Sequence, residues 1–83
     1  MNIDDQTSLN ELLTIAKETV NEVKPNEEFI VKELFRGFEW NRISKGDRTK
    51  LGSMFYNYVQ NEGSQQIKAL GKTPQNQQKY EKK

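Results

Sequence analysis

At 83 residues the chain has room for one domain and one modest core. It contains no cysteine and no histidine, which excludes disulfides, thiolate zinc sites, thiol chemistry and the usual general base and metal ligand. The net charge is +1 and the mean hydropathy -1.00; with no signal peptide and no apolar run long enough to span a membrane, a soluble cytoplasmic protein is expected.

The charge is unevenly placed. Residues 1–35 carry eight acids against three lysines, and residues 36–83 carry ten bases against four acids. A basic rear half suggests a polyanionic partner for that half. The plainer alternative is two solvated surfaces that differ or attract each other.

Residues 1–7 are polar and expected to be a flexible N-terminus, leaving 8–83 as a single domain. Ser8 and Glu11 have the S-x-x-E spacing of a capping box. Leu9, Leu12, Leu13, Ala16, Val20 and Val23 then recur at helical spacing, while Glu11, Lys17, Glu18 and Glu22 stay off that stripe. Pro25 is expected to stop the helix near Val23 or Lys24. A helix that is apolar on one side and acidic on the other also suits a homodimer seam.

Asn26, Glu27 and Glu28 read as a turn, and Phe29, Ile30 and Val31 as a short edge strand. Residues 32 to 43 read as a short second helix followed by an irregular or partly helical turn, with Val31, Leu34 and Phe35 inward. Gly37 interrupts this stretch, and Phe38, Trp40 and Ile43 add apolar mass.

Residues 44 to 63 carry the clearest pattern. Ser44 is an N-cap with Asp47 three residues on, and Gly63 is a C-terminal stop. At about 100° per residue, Leu51, Met54, Phe55, Tyr58 and Val59 share one face. Thr49, Lys50, Ser53 and Asn57 share the other with Gln60, and Tyr56 stands at its edge. Small polar side chains plus a lysine suit a helix that reads base edges and phosphates.

After Gly63, residues 67–70 are expected to pair with 77–82 around a Gly-, Pro- and Asn-containing turn. Ile67, Ala69 and Tyr80 would face the core, and Lys68 and Lys79 water. The alternative is a disordered Gln/Asn/Lys-rich tail, against which Tyr80 argues as an aromatic pin. The order of helix, short strand, short helix, long helix and hairpin gives the expected fold: a small α+β winged helix-turn-helix domain with three helices.

The stretch from 28 to 80 resembles a family of small uncharacterised proteins of Gram-positive bacteria, their phages and mobile elements, a domain of unknown function. The likeness rests on Phe29, Val31, Leu34, Phe35, Trp40, Arg48, Leu51, Gly52, Phe55 and Val59, and then on Gly71, Lys72, Thr73, Asn76 and Tyr80. It implies a compact domain with a winged-helix-like order of elements and implies no activity. The N-terminal helix falls outside it.

Nothing points to catalysis. The acid pairs Asp4–Asp5 and Glu27–Glu28 are sequence neighbours, which a helix or strand turns to different faces, so they read as solvated charge. No metal or cofactor is expected. Phe35, Phe55 and Tyr58 read as core rather than base-stacking platforms, because so small a domain needs its aromatics inside. Exposed Tyr56 is either a contact residue or an amphipathic rim. Gly52, on the flank of the apolar face, suggests a close backbone approach, with a kink as the alternative.

Arg48, Lys50, Lys68, Lys72 and Lys79 are the bases expected beside a phosphate backbone, against the plainer reading of a solvated basic surface. Arg48 lies nearer the core flank and pairs alternatively with Glu33 or Glu39. The expected function is binding of double-stranded DNA through Arg48, Thr49, Lys50, Ser53, Tyr56 and Asn57, with Lys68, Lys72 and Lys79 on the hairpin. The alternative is a protein-interaction adaptor or inhibitor on the same fold. The two differ in salt dependence, which is steep for DNA.

Overall fold

The computed structural model describes residues 3–83. Met1 and Asn2 lie outside the described residues, so the expected flexible segment is described from Ile3 onward. There the chain is held. Ile3 is only 1% exposed and its carbonyl accepts from Arg42 Nη1 at 2.7 Å. Asp4 and Thr7 close a turn through paired hydrogen bonds. A buried isoleucine, not the polar residues around it, decides the matter: its apolar surface leaves water by folding back onto the domain.

Helix α1 spans Leu9–Val20, and Ser8 Oγ accepts from Glu11 N at 3.2 Å. The helix ends earlier than the proline alone would require. After Val20 the chain tightens into bonds three residues apart, from Asn21, Glu22 and Val23 to Glu18, Thr19 and Val20. Lys82 Nζ, arriving from the last strand, donates to Val20 O at 2.8 Å and satisfies a carbonyl at the helix end. Leu12, Ala16 and Val20 are buried against the rest of the chain, with α1 packed across the long helix. Of the apolar stripe that suited a homodimer seam, Leu12, Ala16 and Val20 serve the chain's own core, and Leu9, Leu13 and Val23 are half-buried against it.

Strand β1 is Glu28–Phe29, entered through Asn26 in the left-handed region at φ 76°. The strand is shorter than the apolar run because Val31 already opens a 3₁₀ turn, Val31–Leu34, that buries Val31 and Leu34. Glu33 Oε1 accepts from Ile30 N at 3.0 Å at the start of this turn. The expected short helix is that 3₁₀ turn, and the partly helical stretch after it is a single α-helical turn, α2, Gly37–Trp40, which Gly37 begins. Helix α3, Lys45–Asn61, starts where the cap predicts, with Ser44 Oγ accepting from Asp47 N at 3.2 Å. It buries Leu51, Phe55 and Val59. Gly63 follows its end, but not in the left-handed conformation of a helix stop. It is small because a Cβ there would stand 2.9 Å from Tyr58 Cε2.

Strands β2 (Ile67–Lys72) and β3 (Gln78–Lys82) form the C-terminal hairpin, turned through Asn76 at φ 65°. The sheet is antiparallel in the order β1–β3–β2. Its inner face and α1 and α3 enclose the core, where the rings of Phe29, Phe55 and Tyr80 meet. Phe55 lies edge-on to both, with centroids 6.4 Å from Phe29 and 5.1 Å from Tyr80, while Phe29 stacks on Tyr80 at 5.7 Å. The architecture is thus α+β, three helices and a three-stranded antiparallel sheet. Among the described residues no helix is long and apolar enough to cross a membrane.

Candidate functional site

A groove of about 1020 Å³ runs between α3 and the hairpin. One wall is the polar face of α3. With Leu51, Phe55 and Val59 turned into the core, helical geometry leaves Lys45, Thr49, Ser53, Tyr56 and Asn57 outward, and all of them line the groove. The other wall is the hairpin, through Lys72, Asn76, Gln77 and Gln78. The 3₁₀ turn adds Lys32, and Trp40 and Tyr80 complete the lining.

The lining carries four bases, Lys32, Lys45, Arg48 and Lys72, and no carboxylate. None of the four forms an ion pair among the described residues. Arg48 is held in place without being neutralised. Its Nε donates to Ile43 O at 2.9 Å, and its guanidinium carbon lies 5.5 Å from the centre of the Trp40 ring. The acids weighed as partners stand elsewhere: Glu39 is buried against Arg36 at 3.5 Å, and Glu33 caps the 3₁₀ turn. A guanidinium stacked on an aromatic face keeps its remaining donors for a ligand.

Lys72 reaches the groove through an irregularity in the sheet. On strict alternation Lys72 would share the outer face with Lys68. Ala69 pairs with Tyr80 but Lys72 pairs with Gln78, so β2 holds one extra residue there. That bulge puts Lys72 on the face of Gln78 and Tyr80, which is the groove face. Gln78 Nε2 bonds to Leu70 O across it.

Tyr80 is the floor at the hairpin side. It is fully buried, and its hydroxyl has no hydrogen-bond partner among the described residues. Burial, with a smaller contribution from the nearby Tyr56 phenol, pushes its pKa from 10.0 up to about 12.

The structure thus brings Arg48, Thr49, Ser53, Tyr56, Asn57 and Lys72 into one groove. It leaves three expected residues out. Lys50 is exposed on α3 but outside the lining. Lys68 lies on the outer face of the sheet, opposite Glu81, which in turn pairs with Glu28. Lys79 shares that mixed-charge face, and its Nζ is 2.7 Å from Glu28 Oε1. The strand period of two separates these lysines from Tyr80, and the neighbouring carboxylates offset their charge.

Lys45, Lys32 and Trp40 were missed. Lys45 was findable, being one turn before Thr49 on the same face. Lys32 and Trp40 arrive only because the 3₁₀ turn and α2 fold against α3, and no spacing in the sequence announces that. Gly52 also lines the groove, and a Cβ there would meet nothing within 4 Å. The close internal approach expected at Gly52 is therefore absent, since the neighbouring element stands away across the groove. Among the described residues no group of His, Cys, Asp and Glu is placed to hold a metal ion.

The pattern of one family, described as a domain of unknown function (DUF1413), matches residues 14–82. The match takes in the greater part of α1, which the narrower likeness over 28–80 left out. No curated protein and no solved structure matches the chain.

Proposed function

The chain belongs to the DUF1413 family, and on that premise we propose that it binds double-stranded DNA as a small winged helix-turn-helix protein. The role is that of a cytoplasmic regulatory or accessory factor of a bacterium, phage or mobile element, acting by binding and not by catalysis. The observation that carries the reading is the groove between α3 and the hairpin, with four unpaired bases and no acid in its lining. Support for the winged-helix reading comes from the element order and from β1 pairing with the last strand, β3, in the sheet order β1–β3–β2.

In this reading α3 enters the major groove and the hairpin lies alongside as the wing. Thr49, Ser53 and Asn57, successive turns of one helix face, meet base edges, and Asn57 suits adenine through N6 and N7. Lys32, Lys45, Arg48 and Lys72 meet phosphates and supply affinity without sequence preference. Four such contacts set the salt dependence. The slope of log Kobs against log salt is expected to be about -3 to -4. Fluorescence anisotropy on labelled duplexes across a salt series tests this. Binding that is absent at low salt, for every duplex tried, would overturn the proposal.

The second reading, a protein-interaction adaptor, is favoured by Phe38. That ring is 55% exposed on α2 and is backed by the Arg42 guanidinium 5.1 Å away. An adaptor predicts that Phe38→Ala abolishes a protein complex and leaves nucleic-acid affinity negligible in both forms.

A further inference from the structure

Glycine is a poor residue for the middle of a helix, because it orders a freer backbone and contributes no side chain. Gly52 stands there nonetheless, in α3 (Lys45–Asn61). Nothing among the described residues requires it. Its φ is outside the left-handed region, and a Cβ built on it meets no atom within 4 Å. Gly63 is the contrast, since its Cβ would press on the Tyr58 ring.

The surroundings of Gly52 are those of a ligand seat. Arg48 and Tyr56, one turn before and one turn after, both line the groove, so the helix backbone lies bare between a cation and a phenol. Lys72 faces them from the hairpin. On the hairpin side Tyr80, fully buried, lines the same groove with its hydroxyl unpartnered.

We propose that Gly52 is the point of closest approach between α3 and bound duplex DNA, where a phosphodiester seats against the bare helix backbone between Arg48 and Tyr56. This rests on the DNA-binding reading and goes further, because it fixes which part of the ligand meets which residue. A methyl at position 52 would hold the strand off by about one carbon–carbon bond, roughly 1.5 Å, and a leucine by more, lengthening the contacts of Arg48 and Lys72 together. The cost falls on binding alone, since the unbound protein has room for the side chain.

The test compares the full chain with Gly52→Ala, Gly52→Leu and Gly46→Ala. Gly46 is a sound control: it lies in the first turn of the same helix, outside the groove lining, and its Cβ also meets nothing within 4 Å. Thermal unfolding and anisotropy on one mixed-sequence labelled duplex are measured for each. Gly52→Ala should melt about 4–8 °C higher than the parent, and Gly46→Ala, in the first turn, should melt no lower than the parent. Gly46→Ala should bind like the parent, whereas Gly52→Leu should bind at least about tenfold more weakly, with Gly52→Ala between them. Parental affinity in both position-52 variants, with the parent itself binding, overturns the seat and leaves the DNA reading standing. A position-52 variant that melts below the parent overturns it too, because the space was then not open. A parent that binds no duplex at low salt overturns the DNA reading and the seat with it.

Discussion

Tyr80→Phe isolates one oxygen atom at the centre of the fold. Tyr80 is fully buried and its ring contacts survive the substitution: the stack on Phe29 at 5.7 Å and the edge contact with Phe55 at 5.1 Å. Only the hydroxyl goes, and that hydroxyl has no partner among the described residues. A buried polar group in that state costs about 1–3 kcal/mol of desolvation, so the variant should be as stable as the parent or more stable by up to that amount at pH 7. The same atom gives a signature in alkali. Its pKa is raised from 10.0 to about 12, so the folded state keeps the proton while the unfolded state loses it. Stability from this group is complete below pH 10, falls as pH rises from 10 towards 12, and is lost above 12. Each unit is worth about 1.4 kcal/mol, which gives a loss of about 3 kcal/mol across the window. Urea unfolding of both proteins from pH 7 to 12 measures it. Other groups titrate equally in parent and variant, so the difference between the two curves belongs to Tyr80. A variant less stable than the parent by more than about 1 kcal/mol at pH 7, or two curves that fall in parallel above pH 10, would refute the reasoning.

Phe55→Ala should cost about 3–5 kcal/mol, since it removes a fully buried ring that sits edge-on to two others, and a thermal midpoint within a few degrees of the parent would mean the ring is not in the core. Gly63→Ala should destabilise by about 1–2 kcal/mol, because the added Cβ meets the Tyr58 ring at 2.9 Å; in the background of Tyr58→Ala the same change should become nearly neutral, as a double-mutant cycle in urea would register. Replacing Lys45, Arg48 and Lys72 together by Ala should weaken binding to all duplexes and flatten the salt slope, whereas replacing Lys68 and Lys79 should change it little; equal effects in anisotropy would move the contact surface to the outer face of the sheet.

Local chemistry was enough to locate α1 and α3. Ser8 and Ser44 cap them, and their apolar periodicity names the buried faces, Leu12, Ala16 and Val20 on one and Leu51, Phe55 and Val59 on the other. The hairpin was legible from its turn residues and from Tyr80, and five of the nine expected contact residues, Arg48, Thr49, Ser53, Tyr56 and Asn57, lie together because they belong to one helix. These features depend on residues within a turn or two of one another, which is the range over which sequence spacing carries information. What lies beyond that range was decided by packing. Ile3 joins the core because its side chain is buried in the body of the domain, while its carbonyl accepts from Arg42, far along the chain. Arg48 stays unpaired because Trp40, brought over it by the fold of α2, offers a ring face in place of the acids weighed for it. Lys72 parts company with Lys68 through one extra residue in β2, and Lys79 is offset by Glu28 on a strand about fifty residues away. A side chain's face on a strand depends on register, and register is set only when the sheet assembles.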